Sequence, residues 1–196
     1  MASLRNPIDG HLRADESFSL RPSSPYSASK AGADLAVMSY ARTFDLPYLI
    51  TRSCNNFGPN QHPEKLIPLM FEKISAGEKI PLYGNGQQRR EWIHVADNVE
   101  IISRLTFSKE IVNEVMNIGS GYNYRNIQII EMLRERMGSK TVSYEHIEDR
   151  PGHDKAYSLN CRKLQSYLGD GYAFLPLETF LHGMITCKQF KDSFSD

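Results

Sequence analysis

The sequence predicts an α/β fold built around a parallel sheet. A long amphipathic helix starting at Pro25 is followed directly by a short apolar strand at 48–51, an order typical of parallel α/β sheets. Apolar and aromatic side chains make up 40% of the 196 residues and charged ones 23%, a composition that excludes a disordered chain. The length is ample for a hydrophobic core and is typical of one domain or slightly more.

Caps and periodicity predict the elements of the first half. Residues 1–24 are polar and lack a sustained period, so we interpret them as a loop or frayed terminus. Ser23 or Ser24 caps the first helix, whose apolar residues recur every three or four positions. Residues 55–59 have the composition of a turn at the carboxyl end of the strand, where open α/β sheets bind ligands. A helix at 64–76 follows and ends before Gly77.

The second half is predicted to alternate between strands and helices. Strands at 80–83 and 91–95 flank the turn Gly84-Asn85-Gly86, which is typical of a hairpin. The other predicted elements are helices at 96–107, 126–137, 161–168 and 177–190, strands at 115–118 and 141–147, and a loop at 149–154. There are no internal repeats, so we divide the chain into a polar segment, 1–24, and one domain, 25–196.

Charge and cysteine content argue against several classes of function. The 23 basic and 23 acidic side chains cancel, which leaves no electrostatic footprint for a nucleic acid. No apolar run reaches the roughly 18–20 residues that a membrane span needs, and the first residues lack the apolar core of an export signal. Cys54, Cys161 and Cys187 show no CxxC spacing, which favours a reduced, cytoplasmic setting and no metal site.

Tyr26 and Lys30 are the first residues along the chain whose spacing indicates a chemical role. Their spacing of four residues places both side chains on one face of the predicted helix. A nearby ammonium favours the phenolate, so such a tyrosine can act as a base near neutral pH. An exposed helix pair without a chemical role is the alternative interpretation.

Several short motifs follow one another along the chain. They are SSPYSASKA at 23–31, RSCNNFGP at 52–59, PEKLIP at 63–68, PLYGNG at 81–86, REWI at 90–93, NIG at 117–119 and DRPGHD at 149–154. In this order they resemble the extended short-chain dehydrogenase/reductase family and, within it, the dTDP-glucose 4,6-dehydratases. The resemblance runs from about residue 22 to the C-terminus. It implies an incomplete Rossmann-like, doubly wound parallel sheet with a smaller α/β nucleotide-sugar-binding lobe.

The resemblance also implies a reaction and a set of site residues. The parent reaction is the NAD-dependent dehydration of dTDP-glucose to the 4-keto-6-deoxy sugar, a step of deoxysugar biosynthesis. Tyr26 would take the proton of the sugar 4-hydroxyl while C4 gives hydride to NAD, Lys30 would hold the nicotinamide ribose, and Asn56 would touch the cofactor. The positions at which the family binds the nucleotide sugar are Asn55, Lys65, Leu66, Pro81, Leu82, Tyr83, Arg90, Asn117, Arg150 and His153.

The residue types at several of these positions suit a nucleotide sugar on chemical grounds. The guanidinium forks of Arg90 and Arg150 can bind a diphosphate in a way that lysine cannot. The ring of Tyr83 could stack on a pyrimidine. The alternatives are a strand-edge charge at Arg90, a core position at Tyr83 and a solvated loop residue at His153.

Two parts of the family's machinery have no match in the sequence. Asp15-Glu16, the adjacent Asp-Glu pair before Tyr26, falls in a polar loop, and we interpret it as solvated rather than as the family's catalytic pair. No GxGxxG or GxxGxxG motif occurs, although a dinucleotide site needs such a turn. We therefore expect no activity from the isolated chain. It is a truncated dehydratase, one half of a split one, a non-catalytic nucleotide-sugar-binding module, or a degenerate relative with an interaction role.

The missing elements also predict a partner. An incomplete sheet exposes a strand edge and the apolar faces that absent helices would cover. We expect a dTDP-sugar or UDP-sugar as the ligand, and either a homodimer or a complementing N-terminal half as the protein partner.

Overall fold

A twenty-residue helix leads into a two-stranded parallel sheet. The computed structural model describes residues 13–138, 140–149 and 156–186. Helix α1 (Pro25–Phe44) begins where the Ser24 side chain accepts a hydrogen bond from the backbone N–H of Ser27, and it ends at Asp45, which has φ 52°. Strand β1 (Leu49–Ser53) pairs in parallel with β5 (Glu114–Ile118). A long helix followed by a parallel strand is the order that the sequence predicts.

The remaining strands form two further sheets. Strand β4 (Arg89–His94) is parallel to β2 (Asn55–Phe57) and β8 (Ala156–Tyr157) and antiparallel to β6 (Asn123–Arg125). Strand β3 (Ile80–Tyr83) pairs in parallel with β7 (Tyr144–Ile147). The remaining helices are α2 (Leu66–Ser75), α3 (Val95–Phe107), α4 (Asn126–Met137), α5 (Arg162–Leu168) and α6 (Leu177–Thr186).

The buried apolar residues form two cores. The first, called the lobe core, joins β2, β3 and β4 to helices α2, α4 and α6 through Phe57, Leu82 and Ile129. The second, called the sheet core, joins β1 and β5 to helices α3 and α5 through Met116 and Leu164. This mixed α/β architecture with parallel pairing confirms the predicted Rossmann-like fold class.

Two turn predictions are wrong in part. Residues 55–57 form strand β2, because Asn55 and Asn56 pair with Trp92 and Ile93 and the ladder to β4 overrides their turn composition. The turn at Gly84 does not close a hairpin: β3 pairs with β7, while β4 belongs to another sheet. The glycine turn therefore carries the chain from one sheet to the next.

Residues 13–24 form no helix and no named strand, as the loop prediction implies, but Ala14 and Glu16 within them are held by other segments. Ala14 forms a parallel bridge with Leu159 and is 3% exposed. The Glu16 carbonyl accepts a hydrogen bond from Arg52, and a Glu16 carboxylate oxygen accepts one from the Asn117 backbone N–H at 3.0 Å. Glu16 is thus bound to the sheet rather than solvated, whereas Asp15 lies in an exposed turn with Ser17, as predicted.

Neither a membrane-spanning helix nor a metal-binding cluster is present among the residues that the structure describes. Within the described residues no helix is long and apolar enough to cross a bilayer. Over the same ranges, no group of three His, Cys, Asp or Glu side chains is arranged to hold a metal ion.

Candidate active site

The middle of α1 is tied to the carboxyl edge of the β1–β5 sheet by an ion pair. Arg52, near the end of β1, donates from Nε to an Asp34 carboxylate oxygen at 2.8 Å, and both side chains are largely buried. Lys30 and Tyr26 precede Asp34 by one and two helical turns, because each turn takes 3.6 residues. Open α/β sheets bind ligands at such an edge, and the Tyr26–Lys30 pair lies between this ion pair and the N-terminus of α1.

Tyr26 and Lys30 occupy one face of α1, as their spacing predicts. The Lys30 ammonium lies 5.8 Å from the centroid of the Tyr26 ring. The Tyr26 side chain is 62% exposed, so its hydroxyl is open to a ligand. Their roles in chemistry stay predictions, since the geometry establishes only that the two groups are neighbours.

Three asparagines gather at the same edge. Asn55 and Asn56 follow β1 and are half-buried on β2, and Asn117 is opposite Arg52 in the β1–β5 ladder. Within the described ranges, the buried oxygen Asn56 Oδ1 is one of several buried side-chain atoms without a hydrogen-bond partner, so it can still accept a hydrogen bond. Asn117 is 1% exposed, and its amide nitrogen donates to the Ala14 and Asn160 carbonyls, so it ties three segments together.

Strand β3 contributes the next group of predicted site residues. Leu82 is buried in the lobe core and its side chain packs against Gly86, which adopts φ 71°. Added to that glycine, a Cβ would lie 2.8 Å from Leu82, so the turn requires glycine. Pro81 and Tyr83 are half-buried at the strand's exposed face.

The connection from β3 to β4 is tied to the end of β7. Gln88, 6% exposed, donates from Nε2 to an Asp149 carboxylate oxygen at 2.8 Å. His146 Nδ1 lies 2.7 Å from the Gly84 carbonyl. Neither Gln88 nor Asp149 was predicted as a site residue, because a glutamine before a strand gives no sequence signal. Arg150 and His153 lie outside the described residues.

Arg90 and Lys65 supply positive charge at the site. Arg90 is half-buried on β4, and its Nη1 donates to the Arg89 carbonyl at 2.7 Å. Lys65 is exposed at the N-terminal cap of α2, and Leu66, half-buried, begins that helix. The structure thus places Arg90 on a rigid strand and Lys65 at a helix start, both consistent with binding an anion.

Glu91 is fully buried and holds two segments beside the site. It is 0% exposed, and its two oxygens accept hydrogen bonds from the backbone N–H groups of Gly121 and Leu159, each at 2.8 Å. The Ser158 hydroxyl adds a longer contact at 3.3 Å. Sequence reasoning missed this role, because a carboxylate within a strand is usually solvent-facing. Glu91 fixes the β5–β6 loop and the end of β8.

Two buried thiols adjoin Glu91. Burial, and then the Glu91 charge, raises the pKa of Cys54 far above its ordinary value. The same causes raise the pKa of Cys161 to about 12. Both cysteines are free, and at neutral pH they are protonated and poor nucleophiles.

His94 caps helix α3 and should give the chain a pH-dependent stability. Its Nδ1 accepts the Ala96 backbone N–H at 3.2 Å, and burial lowers its pKa against an opposing effect of Asp97. The folded state therefore holds the neutral ring. The contribution to stability is complete above about pH 6.5, the ordinary histidine pKa, and is lost as pH falls through the lower folded pKa.

Urea unfolding at pH 7.5 and 5.0 measures this effect. In His94→Asn the asparagine can still cap α3 but cannot titrate. The free energy of unfolding of this variant should therefore fall less between pH 7.5 and 5.0 than that of the parent chain. His62→Asn, at an exposed position, is the control and should keep the parental difference. Equal pH differences in the parent and His94→Asn would contradict the assignment.

The chain is similar in sequence to a family of dehydratases. The GDP-mannose 4,6 dehydratase family model matches residues 9–170. The low-salt glycan biosynthesis protein Agl12 of Haloferax volcanii is 46% identical over 158 residues, covering 81% of this chain and 50% of that protein. A dTDP-glucose 4,6-dehydratase of Haemophilus influenzae is 42% identical over 174 residues, covering 83% and 50%.

Solved structures show the same architecture. DesIV, a dTDP-glucose 4,6-dehydratase of Streptomyces venezuelae with NAD and TYD bound, superposes with a TM-score of 0.81 at 36% identity, covering 96% of this chain and 59% of that one. A UDP-glucuronic acid 4-epimerase of Bacillus cereus, 21% identical, shares the fold with a TM-score of 0.85. The chain spans about half the length of the curated relatives it matches.

Proposed function

The chain belongs to the GDP-mannose 4,6 dehydratase family, and from this premise we propose that it is the nucleotide-sugar-binding part of a dTDP-glucose 4,6-dehydratase. The parent reaction is the dehydration of dTDP-glucose to dTDP-4-keto-6-deoxyglucose. The observation that carries the proposal is the Tyr26–Lys30 pair on one face of α1, in a fold that also places Asn55 and Asn56 just after the carboxyl end of β1.

Tyr26 and Lys30 have the chemistry for the first proton transfer. Tyr26 would act as a phenolate that takes the proton of the sugar 4-hydroxyl and becomes a neutral phenol, and the Lys30 ammonium would stabilise that phenolate beforehand. NAD, when bound, supplies the acceptor for the hydride of C4. The acids that eliminate water are not assigned to this chain, because Glu16 is engaged by Asn117 and Asp15 lies in an exposed turn.

The residues present fit one end of NAD. Tyr26, Lys30 and the unpartnered oxygen Asn56 Oδ1 offer contacts to the nicotinamide ribose and its carboxamide. The glycine-rich turn that would hold the pyrophosphate is absent from the sequence. This asymmetry favours a second candidate for the isolated chain: a binding module for nucleotide sugars that turns over nothing by itself.

The proposed ligand is a dTDP-sugar, with a UDP-sugar as the close alternative. Arg90, together with Arg150, would bind the diphosphate, and Tyr83 would stack on the base. The other residues of the proposed sugar-nucleotide site are Lys65, Leu66, Pro81, Leu82, Asn117 and His153. Leu82 and Asn117 are buried and would position the segments around the ligand. The protein partner is a second copy or a complementing N-terminal half. The buried free thiols Cys54 and Cys161 support a cytoplasmic setting.

Calorimetry with dTDP, UDP and NAD⁺ tests the proposal on the isolated chain. We expect dTDP to bind, NAD⁺ to bind much more weakly, and Arg90→Ala to weaken dTDP binding by roughly 10- to 100-fold, since a charged hydrogen bond is worth about 1.5–3 kcal/mol. The control is Arg104→Ala, whose side chain pairs with Glu100 at the surface of α3 and should leave the affinity unchanged. If neither dTDP nor UDP binds the parent chain, the proposed function is wrong.

A further inference from the structure

A polar pocket, called the arginine pocket, lies where the segment before α1 meets the start of α5. It has a volume of about 330 Å³ and is lined by Arg13, Asn160, Cys161, Arg162 and Gln165. Among the described residues, its lining therefore contains two guanidinium groups and no carboxylate. None of these five residues belongs to the proposed nucleotide-sugar site, so the arginine pocket is a separate candidate site.

Backbone hydrogen bonds fix the two sides of the pocket to each other. The Ala14 N–H, next to Arg13, donates to the Ser158 carbonyl at 3.2 Å, and the Asn160 N–H donates to the Ala14 carbonyl at 2.8 Å. The amide nitrogen of Asn117 donates to the Ala14 and Asn160 carbonyls as well. Two segments that are far apart in the sequence are thus held side by side, which brings both arginines to one pocket.

The side of the pocket formed by α5 is also held in place. The Arg162 backbone N–H donates to Asn160 Oδ1 at 3.1 Å, and the Gln165 N–H donates to the Cys161 carbonyl at 2.9 Å. Just before this side, the Leu159 N–H is bound by the buried Glu91 carboxylate. The backbone around the pocket is therefore fixed before any ligand arrives, and a preformed site loses less conformational entropy on binding.

The positive charge of the pocket is not neutralised within the described ranges. The guanidinium groups of Arg13 and Arg162 form no ion pair and no hydrogen bond there. Arg52, Arg104 and Arg134, by contrast, each pair with a carboxylate. Like charges that line one pocket repel each other, so a bound anion would stabilise this arrangement.

The buried thiol at the pocket is close enough to sense the Arg13 charge. Burial, and then Glu91 and Glu16, raise the pKa of Cys161 to about 12, whereas Arg13 acts to lower it. The Glu16 carboxylate is engaged by the Asn117 N–H and does not line the pocket. A ligand in the pocket would therefore meet guanidinium groups rather than a carboxylate.

We propose that the arginine pocket binds a phosphate group, either as the free ion or on a small molecule the size of a sugar. A guanidinium donates two parallel hydrogen bonds to an oxyanion, so two of them can engage three or four phosphate oxygens. A carboxylate has two oxygens and one charge, which a single guanidinium satisfies. The volume is within the range of small-molecule pockets and leaves room beside the phosphate.

Calorimetry on the isolated chain with inorganic phosphate, glucose 6-phosphate and acetate tests the site directly. We expect both phosphates to bind and acetate to bind at least tenfold more weakly. Arg13→Gln and Arg162→Gln should each weaken phosphate binding tenfold or more, because each removes a charge-assisted hydrogen bond. The matched control is Arg42→Gln, exposed in the last turn of α1, which removes the same charge and should leave the affinity unchanged.

Competition separates the arginine pocket from the proposed nucleotide site. Phosphate binding should persist in Arg90→Ala and in the presence of saturating dTDP. The Arg13→Gln and Arg162→Gln chains should keep the parental affinity for dTDP. Tighter binding of glucose 6-phosphate than of inorganic phosphate identifies a phosphorylated small molecule as the ligand, and equal binding identifies the free ion.

Four results would overturn the inference. They are no binding of either phosphate at millimolar concentration, binding of acetate as tight as that of phosphate, an equal loss in Arg42→Gln and Arg13→Gln, and displacement of phosphate by dTDP. If a variant is destabilised, NMR on the parent chain decides: phosphate should shift the backbone amide resonances of 160–165, and shifts confined to β4 would contradict the site. Retained dTDP binding in any of these cases leaves the proposed function intact.

Discussion

Tyr26→Phe should lower the turnover of dTDP-glucose by the completed enzyme roughly 100- to 10,000-fold, the usual contribution of a positioned general base. The substitution removes one oxygen atom from a side chain that is 62% exposed, so it should not disturb the helix. The rate is measured with the chain fused to the part of the Haemophilus influenzae relative that it does not cover. Because the change affects proton transfer, kcat should fall while KM stays near its parental value.

Tyr40→Phe is the matched control for this experiment. Tyr40 lies on the same helix and is 63% exposed, so the two variants alter similarly exposed side chains. Tyr40→Phe should keep the parental turnover. Parental turnover in Tyr26→Phe, or an equal loss in both variants, would show that Tyr26 is not the base. The dTDP affinity of the isolated chain should be the same in all three proteins, because the diphosphate contacts lie on other elements.

Glu91→Ala should destabilise the fold by about 3 kcal/mol or more. The carboxylate is fully buried and accepts hydrogen bonds from the backbone of Gly121 and Leu159 and from the Ser158 hydroxyl. A buried donor left without a partner costs about 1–3 kcal/mol, and Glu91→Ala leaves two backbone donors in that state. Urea unfolding measures the change. Glu145→Ala, on the exposed face of β7, is the control and should stay within about 0.5 kcal/mol of the parent.

A second variant, Gly119→Ala, tests the position of the same Glu91 carboxylate. A Cβ added at Gly119 would lie 2.2 Å from a Glu91 carboxylate oxygen, so Gly119→Ala must displace the carboxylate and should cost about 1–3 kcal/mol. Gly183→Ala, in an open position of α6, should instead stabilise by up to about 1 kcal/mol. In the Glu91→Ala background the cost of Gly119→Ala should shrink. Additive effects would show that the two positions are uncoupled.

Local signals in the sequence were sufficient for the long elements. The start of α1 follows from Ser24 and Pro25, and the end of α4 from Gly138, because caps and breakers act within a few residues. The Tyr26–Lys30 pairing follows from helical spacing alone. Which strands pair with each other depends on residues far apart in the sequence. The turn at Gly84 therefore predicts a hairpin between β3 and β4 that the fold does not form.

The parts of the site that could not be predicted are long-range hydrogen bonds. Asn55 and Asn56 have turn-forming side chains, and only the ladder to β4 makes them a strand. Gln88 meets Asp149 across 61 residues, and Glu16 meets Asn117 across 101. Such pairs produce no periodic pattern in the sequence. From the sequence alone their charged side chains are therefore predicted to be solvated, although the fold gives them hydrogen-bond partners.

The small buried residues of α1 have a consequence for local stability. A helix that buries only Ser27, Ala31 and Ala41, and is held to β1 by the Arg52–Asp34 ion pair, loses little apolar contact when it opens. Segments of this kind open at lower free energy than the core around them. Among the described residues, the helix that carries Tyr26 is therefore expected to open more readily than the elements of the two cores.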